Sequence, residues 1–124
     1  MIIGIGVDIS KVSRFEKWVK DEKMIPRFFN AAEINNCRSI QSACEHYAAR
    51  FAAKEAFGKA LGVGLAGYDM KDIYIVNDEN GRPELKVENK AKDLLENKCE
   101  NPIIHVSLSH EKEYATAFVV IEAR

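Results

Sequence analysis

The sequence predicts an α+β fold with helices packed on a mostly antiparallel sheet. Three observations support this prediction. Short β-branched stretches lie near both ends of the chain, a long helical segment lies between them, and the strands of the second half come in pairs joined by turns. Strands joined by tight turns are antiparallel, and helices cover such a sheet. A length of 124 residues predicts one domain over 1–124.

The first strand is predicted over residues 2–9, where isoleucine, valine and glycine lead to a single aspartate. We expect this strand to be buried, and its two glycines allow another backbone or a ligand to approach closely. Ser10 or Ser13 is suited to cap a helix that ends near Asp21. The chain is therefore expected to begin with one strand followed by a helix.

The next segment predicts a break and then a short helix. Pro26 interrupts the helical pattern. Asn30 and Glu33 have the spacing of a capping box, which opens a short helix to about Cys37. Ser42 is suited to cap the main helix that follows.

The main helix is predicted to run to Leu61, with alanine and phenylalanine at helical spacing and Gly62 after its last turn. Residues 62–67 also spell G-x-G-x-x-G. That fingerprint binds dinucleotides when it follows a strand and opens a helix. Here it closes a helix, so we interpret it as a flexible connection to the next strand, open to a nearby ligand.

The second half of the chain predicts two hairpins separated by a polar helix. Asn80-Gly81 is a strong hairpin turn sequence between two β-branched stretches. The second hairpin turns at Glu111-Lys112. The predicted elements cover residues 72–76, 83–87, 89–98 (the helix), 103–109 and 114–121.

The composition is that of an ordinary globular protein, with 47% hydrophobic and 30% charged residues. A net charge of −1 gives no reason to expect nucleic acid or an anionic membrane as a partner. The three cysteines lack Cys-x-x-Cys spacing, so neither a disulfide framework nor a zinc site is predicted, and a reducing cytoplasm is expected. We find no signal-peptide pattern and no run near the ~20 apolar residues of a transmembrane helix.

The most informative charges are Glu55 and Lys59 on the main helix. Four residues apart, they share one helix face, on the side that is expected to be buried. A carboxylate facing a core or a cleft is costly unless it is paired or binds a metal. Asp8 ends the first strand, and with Glu55 it supplies the two carboxylates that suit Mg²⁺, with Lys59 beside them for an anion. The alternative is a solvated surface pair and a turn aspartate.

Two segments together resemble the signature of the phosphopantetheinyl transferase family. They are Ile5-Gly6-Val7-Asp8 and Phe51-Ala52-Ala53-Lys54-Glu55-Ala56-Phe57-Gly58-Lys59. The resemblance is closest to the short, single-domain type and runs the whole length of the chain. It also includes Asn80-Gly81-Arg82-Pro83, His105-Val106-Ser107-Leu108-Ser109-His110 and Glu113-Tyr114-Ala115.

The resemblance implies a Mg²⁺-dependent transferase of lipid metabolism. Members of the family move the 4′-phosphopantetheine arm of coenzyme A to a serine of an apo acyl carrier protein, release adenosine 3′,5′-bisphosphate and support fatty acid biosynthesis. A cytoplasmic homotrimer with sites between subunits is also implied. From the residues alone, two other functions stay open: a different Mg²⁺-dependent phosphotransferase, and a non-catalytic coenzyme A-binding or scaffold module.

The resemblance assigns roles to the three central residues. Asp8 and Glu55 are implied as metal ligands, and Glu55 and Lys59 as catalytic residues. Lys59 is expected to neutralise the leaving phosphate, because negative charge accumulates on phosphate oxygens in the transition state. The base that takes the serine proton is either Glu55 or a metal-bound water that it orients, and the resemblance favours the water.

A wider set of residues is implied to bind coenzyme A. His105 and Ser109 share one side of their predicted strand because strand side chains alternate. Arg50 and Lys54 flank the buried face of the main helix, where a basic residue is implied to meet the 3′-phosphate. The plain alternatives are a solvated strand face, a simple hairpin turn and a solvated helix surface. The set comprises Arg50, Lys54, Lys59, Asn80, Gly81, Arg82, Pro83, His105 and Ser109, with His110 as a further contact.

Arg14 and Arg27 are implied to dock the carrier protein, which presents acidic helices in this family. Lys17 adds a further positive charge nearby, whereas acidic neighbours dilute the basic patch. Charges of this kind at the rim of an interface mainly raise the rate of association. The alternative is an ordinary solvated face of an amphipathic helix.

Overall fold

The computed structural model describes residues 1–34, 37–63 and 67–124 and confirms the predicted α+β class. Helices α1 and α2 follow the first strand, and the long helix α3 precedes a hairpin, helix α4 and a second hairpin. The elements are β1 (Ile2–Lys11), α1 (Glu16–Lys20), α2 (Met24–Phe28), α3 (Ile40–Leu61), β2 (Ile73–Asn77), β3 (Pro83–Val87), α4 (Asn89–Lys98), β4 (Pro102–His110) and β5 (Tyr114–Ala123).

The strands form two antiparallel sheets. β5 lies in the centre of a three-stranded sheet between β1 and β4, and β2 pairs with β3 in a separate hairpin. In the larger sheet Asp8 lies opposite Ala117, which in turn lies opposite Leu108. Helix α3 packs across one face of this sheet, and that face is called the inner face below.

Two glycines allow α3 to lie directly on β1. A side chain at Gly4 would overlap the carbonyl oxygen of Ala60, and one at Gly6 would overlap that of Ala56. Alanines on the facing side of α3 complete the close approach, because they too have little side chain to separate the backbones. The predicted close contact of the first strand is therefore with a helix backbone.

The prediction that the first strand is buried is wrong for one of its faces. Ile5, Val7 and Ile9 are 58–62% exposed, and Phe118, opposite Val7 on β5, is exposed as well. Their side chains point away from α3, because strand side chains alternate between the two faces. This apolar side of the three-stranded sheet is called the outer face below.

Two predictions about the first helices are corrected. Ser10 is buried within β1, and Ser13 lies inside a 3₁₀ turn over Val12–Phe15, so neither caps a helix. Pro26 does not interrupt a helix but lies in the first turn of α2. Proline is tolerated there because the first backbone N–H groups of a helix have no partner within it.

The predicted capping box is present, but the helix it opens is shorter than predicted. The side chain of Asn30 accepts from the backbone of Ala32, and the backbone N–H of Asn30 donates to Glu33 Oε1 at 3.1 Å. The 3₁₀ turn ends at Glu33, and Ile34 is already extended. Residues 35–36, within the predicted helix to Cys37, lie outside the described residues.

The main helix has a different N-terminal cap from the predicted one. The hydroxyl of Ser39 accepts a hydrogen bond from the backbone N–H of Ser42, which makes Ser39 the cap and places Ser42 in the first turn. At the other end Gly62 has a φ of 81° and ends the helix as predicted. Residues 64–66 of the glycine-rich segment lie outside the described residues.

The predicted hairpin at Asn80-Gly81 forms through a longer connection. Asp78 Oδ1 accepts from the backbone N–H groups of Asn80 at 2.8 Å and Arg82 at 2.9 Å. Gly81 has a φ of 80°, a value that favours glycine. The carboxylate of Asp78 therefore organises the loop that presents residues 80–83.

Helix α3 separates two apolar clusters. One lies between α3, both sheets and α4, and the other lies between α3, α1 and α2. Across the described ranges, no helix is long and apolar enough to cross a membrane. The helix that carries Glu55 and Lys59 is therefore held on both sides by packing.

Candidate active site

Asp8 and Lys59 meet between β1 and α3. Lys59 Nζ donates to Asp8 Oδ1 at 3.2 Å and to the carbonyl oxygen of Val7 at 2.9 Å. The Lys59 side chain is 57% exposed and the Asp8 side chain 19%. The pair is thus open to solvent on one side, where a ligand can reach both groups.

Glu55 lies one turn before Lys59 on α3 and is half-buried. Burial raises the pKa of the Glu55 carboxyl, and the nearby charge of Asp8 raises it further. The positive charges of Arg14 and Lys59 act in the opposite direction on the same pKa. The structure therefore brings the predicted trio of Asp8, Glu55 and Lys59 together and adds Arg14 to it.

The carboxylates suit a cation that takes few protein ligands. Asp8 and Glu55 supply two, and among the described residues no three or more His, Cys, Asp or Glu side chains cluster as metal ligands. Mg²⁺ commonly binds one or two carboxylates, keeps several waters and takes phosphate oxygens as its other ligands. The charge of Asp8 contributes to the raised pKa of Glu55, so the two carboxylates lie within electrostatic reach of each other.

Ser10, which the sequence suggested as a helix cap, lies beside the site instead. Its buried hydroxyl lies 3.5 Å from Asp8 Oδ2, while Lys59 approaches Oδ1. Two residues after Asp8 on one strand, Ser10 has to face the same side, so strand alternation was the observation that could have found it.

The ammonium of Lys54 is part of the core and is removed from the predicted coenzyme A set. Lys54 Nζ donates to Glu33 Oε1 at 2.6 Å and to the carbonyl oxygens of Met70 and Ile73. The Lys54 side chain is 1% exposed and that of Glu33 0%. All three ammonium hydrogens have acceptors, so none is left for a phosphate.

Arg50 lies on α3 one turn before Lys54. Its Nη1 donates to the His46 carbonyl oxygen at 3.3 Å, and its buried Nε has no partner among the described residues. Burial lowers the pKa of the Arg50 guanidinium. A cavity of about 260 Å³ brings Arg50 together with His110 of β4, along with Glu45 and His46. His110 Nδ1 lies 2.9 Å from Glu45 Oε1.

The hairpin residues meet His105. A depression of about 330 Å³ between the β2–β3 hairpin and β4 is lined by Asp78, Arg82, Pro83 and His105, among others. His105 Nε2 also lies 3.0 Å from Glu122 Oε1. Asn80 and Gly81 stand at the exposed tip of the hairpin.

The strand register separates two parts of the predicted site. His105 lies opposite Val120, which lies opposite Ile5, and Ser109 is aligned in the same way with Ile9. His105 and Ser109 therefore face the outer side of the sheet, whereas Asp8 faces α3 on the inner side. Within one chain the structure does not bring them to one place.

The two predicted docking arginines lie at the ends of one aromatic row. The Arg14 guanidinium lies 5.7 Å from the Trp18 ring centre and 5.0 Å from that of Phe51. Trp18 stacks on Phe28 at 5.1 Å, and the guanidinium of Arg27 lies 5.3 Å from the Phe28 ring. These contacts align two exposed cations on the surface of α1 and α2.

A family model described as the 4′-phosphopantetheinyl transferase superfamily matches residues 4–119. A holo-acyl-carrier-protein synthase from Treponema denticola is 51% identical over 123 residues, which cover 98% of this chain and 99% of the relative. Another from Geobacter sp. is 44% identical over 125 residues, with 98% and 99% covered. The match includes both signature segments.

Solved structures show the same fold. A holo-acyl-carrier-protein synthase from Bacillus anthracis in complex with CoA (3′,5′-ADP) has a TM-score of 0.78 and is 35% identical, covering 100% of this chain and 99% of that one. A synthase from Helicobacter pylori in complex with coenzyme A also has a TM-score of 0.78, with 33% identity, 95% of this chain and 99% of that chain covered.

Proposed function

Because the chain belongs to the 4′-phosphopantetheinyl transferase superfamily, we propose that it moves the 4′-phosphopantetheine arm of coenzyme A to a serine of an apo acyl carrier protein. The observation that carries this proposal is the meeting of Asp8, Glu55 and Lys59 at one solvent-accessible place between β1 and α3. Its two carboxylates and one ammonium match the charges that a pyrophosphate reaction requires.

In this reaction the serine oxygen attacks the phosphorus that carries the pantetheine arm. The bond from that phosphorus to the bridging oxygen breaks, and adenosine 3′,5′-bisphosphate leaves with the bond's electron pair. Asp8 and Glu55 would hold Mg²⁺, which would supply charge neutralisation at the phosphate oxygens. Lys59 is free to place its ammonium at the leaving phosphate, because only Asp8 and a backbone carbonyl hold it.

Glu55 is the residue positioned to receive the proton of the serine. It is a carboxylate on the half-buried face of α3 beside Asp8, and a carboxylate within hydrogen-bond reach can act as a general base. The proton passes to Glu55 directly or through an ordered water. Exposed Arg14 next to Glu55 supports entry of the carrier from the side of α1.

A complete coenzyme A site requires a second copy of the chain. His105 and Ser109 lie on the outer face, with the depression formed by Arg82 and Pro83 next to His105, whereas Asp8 lies on the inner face. Coenzyme A cannot reach both through the sheet of one chain. We therefore propose that one subunit supplies Asp8, Glu55 and Lys59, and its neighbour supplies the outer-face residues.

The outer face itself supports this assembly. Ile5, Val7, Ile9 and Phe118 form a continuous apolar surface on paired strands, and surfaces of this kind mark protein interfaces. A second copy of the chain is the proposed occupant because the polar residues that need a neighbour lie on that same face. A homotrimer follows from the family resemblance. Sedimentation equilibrium tests the oligomer, and Val7→Glu should dissociate it.

The proposed setting is fatty acid biosynthesis in the cytoplasm. The three cysteines lack the spacing of a disulfide framework or a zinc site, a pattern typical of proteins in a reducing compartment. The row from Arg14 to Arg27 offers two cations to an acidic helix of the carrier. These observations support the proposed compartment and the docking of the carrier, whereas Asp8, Glu55 and Lys59 support the proposed chemistry.

Mass spectrometry of a carrier protein tests the proposed function. Incubation with coenzyme A, Mg²⁺ and apo acyl carrier protein should add one phosphopantetheine group to the carrier serine. The chelator EDTA should stop the transfer, and added Mg²⁺ should restore it. An unmodified carrier in the presence of all three components would refute the transfer, and a reaction that EDTA leaves unchanged would refute the metal site.

A further inference from the structure

Ser10 has a buried hydroxyl whose partner belongs to the candidate active site. Among the described residues, the buried side chains that are polar or charged, apart from tyrosine and cysteine, are those of Ser10, Glu33 and Lys54. Glu33 and Lys54 pair with each other in the core. Ser10 is 4% exposed, and in the described ranges its hydroxyl has one hydrogen-bond partner, Asp8 Oδ2 at 3.5 Å. The hydroxyl is therefore connected to the site and not to the charged pair of the core.

Packing at this position requires only a small side chain. Ser10 lies opposite the buried Ala115 of β5, on the face of β1 that α3 covers. The facing side of α3 is itself rich in alanine. An alanine at position 10 would fill the same space without removing a hydroxyl from water, which is costly unless the hydroxyl forms a hydrogen bond. Only the contact with Asp8 distinguishes the serine from an alanine here.

The two partners of Asp8 differ in how firmly they are held. Lys59 Nζ lies 3.2 Å from Asp8 Oδ1 at the end of a long, exposed side chain. In the proposed reaction this ammonium acts at the leaving phosphate, so Lys59 has to release Asp8. Ser10 is buried and lies two residues from Asp8 on one strand, where such residues share a face. Its hydroxyl therefore stays beside the carboxylate when Lys59 moves away.

We propose that Ser10 is a positioning residue whose hydroxyl donates to Asp8 Oδ2 and orients this carboxylate toward a divalent cation. The inference rests on the proposed function and adds to it a residue outside both signature segments. Carboxylates that bind metals are themselves held by hydrogen bonds, and loss of such a bond weakens metal binding. The distance of 3.5 Å exceeds the roughly 2.5–3.0 Å that is usual between a hydroxyl and an oxygen acceptor, and contacts of this kind in active sites shorten when the ligand binds.

Binding of Mn²⁺ without any substrate tests this role in Ser10→Ala, which removes only the hydroxyl. Mn²⁺ prefers the same oxygen ligands as Mg²⁺, and its electron paramagnetic resonance signal measures the unbound ion. We expect the Kd for Mn²⁺ to rise about tenfold, because Asp8 loses the hydrogen bond that orients it. The matched control is Ser13→Ala, which removes an exposed hydroxyl three residues further on and should leave the Kd unchanged.

Kinetics and melting curves separate positioning from a purely structural role. In Ser10→Ala the Mg²⁺ concentration that gives half-maximal transfer should rise by a similar factor. The kcat at saturating Mg²⁺ should change by less than about threefold, because the metal-loaded site keeps its ligands. A hydroxyl that only stabilised the fold would lower the melting temperature and leave both metal constants unchanged.

An unchanged Kd for Mn²⁺ in Ser10→Ala would overturn the inference. So would failure of this variant to fold, because the hydroxyl would then serve the fold. Asp8→Ala separates the inference from the proposed function. If Asp8→Ala loses Mn²⁺ binding while Ser10→Ala keeps it, the metal site stands and Ser10 does not position it. If Asp8→Ala binds Mn²⁺ as tightly as the unmodified protein, the metal site of the proposed function is itself wrong.

Discussion

Two lysines of α3, five residues apart, show how one helix divides its charges between fold and site. Lys54 is paired with Glu33 in the core, with side chains 1% and 0% exposed. Lys59 is paired with Asp8 at the surface, with side chains 57% and 19% exposed. Both pairs join distant parts of the chain, yet only the second has room for a ligand.

The difference arises from what each ammonium loses and gains on folding. Burial lowers the pKa of Lys54, and the charge of Glu33 acts against that effect. The pair is stable because Glu33 also accepts from the backbone N–H groups of Asn30 and Ile75, so each charge has several partners. Lys59 keeps much of its hydration and can exchange Asp8 for a phosphate at little cost.

The largest expected effect is on stability, and it appears when each of the two lysines is replaced by methionine. Lys54→Met should lower the free energy of unfolding by about 3–5 kcal/mol, because it leaves the Glu33 carboxylate buried without its counter-charge. Lys59→Met should change it by less than about 1 kcal/mol, because the pair is exposed. Urea unfolding followed by circular dichroism measures both. Equal losses in the two variants would remove the distinction between a structural and a functional lysine.

The site carboxylates should show the opposite pattern. Asp8→Ala or Glu55→Ala is expected to reduce transfer to the carrier by at least about a hundredfold, because each removes a carboxylate proposed to hold the cation. Circular dichroism and the melting temperature should stay near those of the unmodified protein. Lys86→Ala, which breaks an exposed ion pair with Glu84, is the control. Activity near that of the unmodified protein in either site variant would rule out this metal site.

Lys59→Ala should lower kcat by about ten- to a hundredfold and raise the KM for coenzyme A less. The reason is that the ammonium is proposed to act on the leaving phosphate, whose charge grows only as the pyrophosphate breaks. Steady-state kinetics with coenzyme A as the varied substrate separates the two constants. A change confined to KM would make Lys59 a binding residue and leave the leaving group without its proposed partner.

Arg14→Glu should lower kcat/KM for the carrier by roughly tenfold at low salt, because it reverses a charge on the proposed docking row. Added salt should weaken the effect if the contact lies at the rim of the interface. Calorimetry should give an unchanged Kd for coenzyme A. Lys20→Glu reverses a positive charge on the neighbouring helix α1 and shows whether the position of the charge or the net charge of the protein matters. An unchanged kcat/KM in Arg14→Glu would leave it a solvated helix residue.

The smallest expected effect is a decrease in the free energy of unfolding in mild acid. It is expected from His46, which lies next to the buried pair of Lys54 and Glu33. His46 Nε2 lies 2.6 Å from the Glu33 carbonyl oxygen, and burial lowers the pKa of His46 below its ordinary value of about 6.5. The unfolded chain therefore binds this proton more readily, so its share of stability is complete above about pH 6.5 and falls as the pH drops through the lowered pKa. Melting curves from pH 7.5 to 5 should show a slope that His46→Gln reduces. An identical slope in the variant would contradict this assignment.

Sequence patterns over a few neighbouring residues were sufficient to predict most of the helices and strands. The helix predicted over residues 89–98 has the same bounds in the structure, and both hairpins form where their turns were predicted. Glu55 and Lys59 share a face because helix spacing requires it. Asp8 joins them because the first strand runs beneath α3, which the two glycines permit. The resemblance implied only that Asp8 and Glu55 hold one metal ion.

The burial of Lys54 could not be predicted from sequence patterns over a few neighbouring residues. It belongs to the same motif as Glu55, and nothing in its immediate neighbours distinguishes it from a surface lysine. Its acceptors come from Glu33, Met70 and Ile73, which lie 16 to 21 residues away along the chain. Tyr68 is similar, since only packing shows that its hydroxyl has no partner among the described residues.

By itself, the sequence determined the five strands, the two longer helices and the identity of the charged groups, because periodicity and turns depend on residues a few positions apart. Only the tertiary structure decided which lysine is buried, which face of β1 stays apolar and exposed, and that His105 and Asp8 lie on opposite sides of one sheet. Those outcomes depend on contacts between distant segments, whose burial sets the free energy of each charge.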